Sequence, residues 1–219
     1  MWWNIGGPLS VLALASVLRL WNLGNPHSLV FDETFYVKDA WTLWNNGYES
    51  AWPESADEQF NSGNTDIFLT DPSYVVHPPL GKWLIALGMA TTGAANAFGW
   101  RLSTAIAGIL IVGLVMLIAW LLFRSTLLSV MAGGLMAIDG HAIVLSRVSL
   151  LDNFVTLFTL TGVALILVDR LGAQRRLERW LRKNPDSAWG PAMWGRPYLI
   201  LAGVAFGAAV AVKWSGIYF

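Results

Sequence analysis

The chain has 219 residues, 55% of them hydrophobic and only 13% charged. An ordinary soluble domain carries about 25% charged residues, so a single water-soluble globule is excluded. Thirteen Trp, 10 Phe and 5 Tyr exclude a disordered chain. The absence of cysteine removes disulfides, thiolate metal sites and cysteine nucleophiles, and a net charge of +0 gives no basic field for nucleic acid.

A bilayer core about 30 Å thick is crossed by about 20 apolar residues in a helix. The first uncharged window runs from Met1 to Leu18, with no basic leader segment before it and no cleavage-like end, and predicts a retained span over 3–20. Residues 21–101 then predict a long loop rich in Trp, Tyr and Phe. Within it, Trp83–Trp100 is uncharged but weakly apolar (Gly88, Thr91, Thr92, Gly93, Asn96) and is separated from the next window by Arg101 alone. Two spans cannot be joined by one residue. This window therefore predicts a helix along the membrane surface, with Trp83 and Trp100 at headgroup depth. Further spans are expected over 102–123, 126–146, 152–169 and 197–217, with a loop over 170–196.

Charge placement orients these spans. Arg170, Arg175, Arg176, Arg179, Arg182, Lys183 and Arg196 occupy the loop between the last two, and Arg124 sits in an earlier turn. The loop before His77 holds nine acids, from Asp32 to Asp71, against Lys38. The positive-inside rule puts the first group in the cytoplasm and the acidic loop outside, which is the parity that five spans give. The Arg175–Lys183 stretch predicts an amphipathic helix on anionic headgroups.

Three places carry candidate chemistry. In Phe31-Asp32-Glu33-Thr34-Phe35-Tyr36, two carboxylates stand between aromatics just beyond the first span. Apolar neighbours and a second acid raise a carboxyl pKa toward general-base work, although either acid could simply cap the helix that follows. In His77-Pro78-Pro79-Leu80-Gly81-Lys82, paired prolines precede a helix start, and Lys82 would stand where a lipid phosphate lies, or would be a snorkelling lysine. Arg101, Asp139, His141, Arg147, Asp152 and Lys213 all fall in the outward half of the spans, where ionisable groups are functional candidates. Pairing such as Asp152 with Arg147 would make some of them structural. Three cations at one depth suit an outward-facing phosphate site. The histidines at 27, 77 and 141 have no metal-ligand spacing, and there is no phosphate-binding glycine loop.

These pieces resemble the protein O-mannosyltransferases, polytopic all-α membrane enzymes of the GT-C fold. The matching motifs are Phe31-Asp32-Glu33, His77-Pro78-Pro79-Leu80-Gly81-Lys82, Leu145-Ser146-Arg147-Val148-Ser149-Leu150-Leu151-Asp152 and Val212-Lys213-Trp214-Ser215-Gly216. They stand in the family's order, and the cysteine-free, Trp-rich chain looks like its bacterial branch.

The resemblance implies inverting transfer of mannose from polyprenyl-phosphate-mannose to Ser or Thr hydroxyls of exported proteins, on the extracytoplasmic side of a bacterial plasma membrane. It implies no cofactor and no metal, membrane lipids and an export channel as neighbours, and no nucleic-acid partner. By the same resemblance Asp32 matches the base and Glu33 helps hold acceptor or sugar. Arg147, then Lys213 and Arg101, would face the leaving phosphate, with His77 and Lys82 beside them. Family members are longer and have more spans, so the chain reads as an N-terminal portion from which activity alone is not expected. The competing expectations are a GT-C transferase acting on lipid or cell-wall glycan, and an inactive truncated homologue.

Overall fold

The computed structural model describes residues 3–186 and 189–219; Met1, Trp2, Ser187 and Ala188, within the first window and the 170–196 loop, lie outside the described residues. In chain order the helices are α1 (Trp3–Leu20), α2 (Glu33–Asn46), α3 (Ala56–Asn61), α4 (Leu80–Thr92), α5 (Ala97–Phe123), α6 (Thr126–Ile138), α7 (Gly140–Arg147), α8 (Asp152–Lys183) and α9 (Pro197–Val212), followed by a 3-10 turn, Trp214–Tyr218. Among the described residues the β pairing is one isolated antiparallel bridge, Ser50–Pro72. The expected all-α membrane class holds. α1, α5 and α8 are long and apolar enough to cross a bilayer, and α6 with α7 makes a fourth candidate bent by 60°. α9 is apolar but has only 16 residues.

Four expectations about the elements change. The surface helix over Trp83–Trp100 is instead α4 plus the first turn of α5. Gly93, at φ 85°, ends α4, and the Asn96 side chain accepts from Phe98 N to start α5. Trp100 is fully buried within the protein rather than exposed at a surface; it packs on Phe60 and His27 and donates from Nε1 to Ala94 O. α4, at 13 residues, is about 20 Å long and too short to cross a bilayer. It packs between α2 and α5. Gly88 and Gly99 permit that approach, since a Cβ on Gly88 would lie 2.6 Å from Gly99 O.

The span expected over 126–146 is broken at Asp139. Its carboxylate accepts from Ala142 N at 2.7 Å and so caps α7. The carbonyls freed at the end of α6 are taken by Arg19, fully buried in α1. Arg19 donates to Met136 O, Ala137 O and Ser146 Oγ at 3.1–3.2 Å. Gly108 leaves room for that cluster, because a Cβ there would sit 2.1 Å from Ser146 Oγ.

α8 runs without interruption to Lys183, about 48 Å of helix. Arg175–Lys183 is therefore the end of α8 rather than a separate helix. Arg196, paired with Asp169, ties the returning segment to it. The last span expected, 197–217, ends as a helix at Val212, where Lys213 turns extended before the 3-10 turn.

The long loop is ordered around an aromatic core. Val37, Ala40 and Phe60 from the loop bury against Ile85, Met89 and Trp100, and the same cluster continues to Leu151, Phe154 and Val212. This core fixes the start of α2 against the turn between α7 and α8.

Candidate active site

Asp32 immediately precedes α2. It occupies the N-cap position, yet its side chain makes no capping hydrogen bond, so the capping alternative does not describe it. Its Oδ2 instead faces the Tyr36 hydroxyl at 3.5 Å. Positions 32, 35, 36 and 39 follow the i, i+3, i+4, i+7 spacing of one helix face, and Asp32, Phe35, Tyr36 and Asp39 line one cavity of about 310 Å³. Its other wall is Ser73, Tyr74, Val76 and His77, with Lys82 from α4.

Burial, the charges of Asp32 and Asp152, and the hydrogen bond to Asp32 push the Tyr36 phenol up to about 12, with a smaller push from Asp39. At neutral pH it is a hydroxyl donor beside Asp32. His77 is 6.1 Å from the Tyr36 ring, centroid to centroid, and its Nδ1 is buried without a partner. Burial, then the positive charges of Lys213 and Lys82, hold the imidazole below its ordinary 6.5, opposed in part by Asp152 and Asp32. It is neutral at pH 7. Lys213 reaches the same region and pairs with Asp152 at 2.9 Å, both groups partly exposed. Trp214 Nε1 donates to Val76 O at 3.1 Å and pins the wall of the cavity to the chain after α9.

The other expected site residues are placed differently. Glu33 points away from the cavity and is fully buried. Its Oε1 accepts from Arg101 Nε and Ser149 N, and its Oε2 from Arg101 Nη2 and Val30 N, all at 2.7–2.9 Å. Arg101, expected at the phosphate, is the other half of this pair. It also donates to the carbonyls of Leu23, Pro26 and Ser28. The two residues fasten the loop to α5 and to the turn after α7.

Arg147, the first expectation for the phosphate, donates to the carbonyls of Leu18, Arg19, Trp21 and Asn22. A cation at a helix C-terminus satisfies orphan carbonyls and opposes the dipole, so the guanidinium is spent on the end of α1. It does not pair with Asp152, which takes Lys213 instead. Lys82 is neither snorkelling nor free for a phosphate. It is 2% exposed and bonded to Asp39 and Glu49, each at 2.9 Å. Burial raises both carboxyls above their ordinary values, with Lys82 opposing it. Asp139 and His141 border a separate cavity that also takes in Arg19 and Asn153. Of the expected residues, the structure thus gathers Asp32, His77 and Lys82 at the cavity and adds Tyr36 and Asp39, with the Lys213–Asp152 pair close enough for its charges to act on His77.

A family model described as dolichyl-phosphate-mannose-protein mannosyltransferase matches residues 9–219. A polyprenol-phosphate-mannose–protein mannosyltransferase of Mycobacterium tuberculosis is 37% identical over 225 residues, covering 99% of this chain and 39% of the relative. A protein of the same name from Mycolicibacterium smegmatis is 38% identical over 217 residues, covering 95% of this chain and 38% of the relative. Protein O-mannosyl-transferase 1 of Mus musculus is 27% identical over 226 residues, 96% of this chain and 26% of the relative. The chain thus spans well under half the length of these relatives.

Proposed function

Since the chain belongs to the dolichyl-phosphate-mannose-protein mannosyltransferase family, we propose that it supplies the base and part of the donor site for mannosylation of Ser and Thr hydroxyls. The donor is polyprenyl-phosphate-mannose, the acceptors are exported proteins, and the site faces the extracytoplasmic side of a bacterial plasma membrane. The observation that carries this reading is Asp32, uncommitted to a cap or an ion pair among the described residues and lining a cavity beside Tyr36.

Asp32 accepts the proton of the acceptor hydroxyl as its oxygen attacks the anomeric carbon. The bond from that carbon to the phosphate oxygen breaks on the opposite face, with inversion. Tyr36, held protonated, donates to the Asp32 carboxylate and orients it. Lys213, partly exposed and paired with the partly exposed Asp152, is the cation that turns to the leaving phosphate and stabilises the charge it develops. A side-chain cation in that role makes transfer independent of added metal.

The test uses the full-length protein with radiolabelled mannolipid, a Ser/Thr-rich peptide and a membrane glycan acceptor, with and without EDTA. Label in the peptide that persists in EDTA supports the reading. Label in the glycan alone replaces the acceptor, and loss of transfer in EDTA removes the metal-free step.

A further inference from the structure

Asp39 lines the same cavity as the base and has no role in the reaction described above. It sits seven residues beyond Asp32 on the same helix face, about 10 Å along the helix. Its Oδ2 is held by Lys82 at 2.9 Å. Lys82 is in turn held by Glu49, so the carboxylate is fixed from behind and cannot swing away. No donor reaches Asp39 Oδ1 among the described residues, and the side chain, 13% exposed, borders the cavity. Two carboxylates share the Lys82 ammonium here, and the charge of Lys38 also acts on Asp39. The remaining Asp39 oxygen is an acceptor open to ligand groups that donate hydrogen bonds.

The surroundings match one ligand class. Phe35 and Tyr74 present largely exposed rings at the cavity wall, 62% and 89% exposed, and rings of this kind accept the C–H face of a sugar. His77 Nδ1 is buried and unpartnered on the same wall. A mostly apolar cleft with a few fixed polar groups is how small ligands are oriented. The span from Asp32 to Asp39 accommodates, in series, an acceptor oxygen, an anomeric carbon and the far hydroxyls of a hexose.

We propose that Asp39, braced by Lys82 and Glu49, receives the ring hydroxyls of the transferred sugar and so selects the sugar-bearing donor over the bare lipid phosphate. This deepens the mannosyltransferase reading and rests on it for the identity of the donor. It adds a sugar-recognition end to a cavity whose base is Asp32.

The experiment measures the affinity of the full-length protein for polyprenyl-phosphate-mannose and for polyprenyl phosphate without sugar, before and after Asp39→Asn. A hydrogen bond to a charged group corresponds to a tenfold to hundredfold change in affinity, roughly. The expected result is a loss of that order for the mannosyl lipid, with affinity for the bare lipid phosphate unchanged; the unchanged arm also reports that the site is folded. If Asp39→Asn does not fold, Asp39→Glu, which keeps the charge opposite Lys82 but displaces the carboxylate, is read in the same way. Equal losses for both lipids, or an undiminished preference for the mannosyl lipid, overturn the proposal. A protein that shows the Asp39-dependent preference but mannosylates no peptide keeps the sugar site and loses the acceptor assignment instead, which separates the two.

Discussion

Replacing Glu33 by Gln separates a structural from a chemical role at the adjacent acids. Every partner of the Glu33 carboxylate is a donor: Arg101 Nε and Ser149 N on one oxygen, Arg101 Nη2 and Val30 N on the other. An amide puts an NH2 where one of those oxygens stood. Two of the four hydrogen bonds become donor–donor contacts, and Arg101, 1% exposed, is left without its counter-charge. A hydrogen bond to a charged group contributes about 1.5–3 kcal/mol, so losing two costs about 3–6 kcal/mol. Removing one partner of a buried ion pair is separately expected to cost about 3–5 kcal/mol, and the two routes agree. For a chain of this size each kcal/mol lowers the melting temperature by about 2–4 °C, giving a drop on the order of 10 °C. The assay is thermal unfolding of the chain in detergent, alongside transfer per folded molecule by the full-length protein carrying the same substitution. The account expects a large loss of stability, with transfer restored where the protein remains folded at low temperature. A Glu33→Gln protein that melts like the wild type but transfers nothing would refute it and return Glu33 to the chemistry.

Other substitutions probe the remaining assignments. Trp100→Ala removes the ring between Phe60 and His27 at the centre of the loop core and should cost about 3–5 kcal/mol, read as earlier thermal unfolding; an unshifted transition would mean the loop is not held by that core. Arg147→Ala frees the carbonyls at the end of α1 and should lower stability by about 2 kcal/mol while leaving mannolipid affinity within twofold. A selective loss of donor affinity would put Arg147 back at the phosphate. For His77, the folded imidazole titrates below the ordinary 6.5, so the unfolded chain takes up its proton first as pH falls. Stability is fully present above pH 6.5 and declines below it. His77→Gln should flatten that acid limb of the melting temperature against pH, and an unchanged slope would contradict the assignment.

Much of the membrane architecture was legible because lipid-facing helices leave uncharged windows, and α1, α5 and α8 fall within or across them. The break in the span over 126–146 was not. Asp139 reads as an intramembrane ionisable group, and nothing local says that its carboxylate caps α7 or that Arg19, 118 residues from Ala137 in sequence, will take the freed carbonyls. The break of Trp83–Trp100 into two helices and the burial of Trp100 under Phe60 were hidden for the same reason, since that packing is a tertiary fact.

Within the site, the Asp32–Glu33 pair was legible as an unusual spot but not as two opposite roles. Successive residues on a helix point about 100° apart, so the two acids could not both enter one cavity. The helix spacing from Asp32 to Tyr36 and Asp39 was open to reading and would have supplied the missing wall. The pairing of Arg101 with Glu33, Lys82 with Asp39 and Glu49, and Arg147 with the end of α1 joins groups distant in sequence. Position in the chain marks such cations as interesting without telling a phosphate ligand from a brace.

Asp32→Asn in the full-length protein tests the central assignment most directly, with peptide mannosylation and mannolipid affinity measured on the same preparation. A general base contributes about 10²–10⁴-fold, so the account predicts a loss of transfer of that order with donor affinity within twofold of the wild type. Transfer at the wild-type rate by the Asn variant would contradict it.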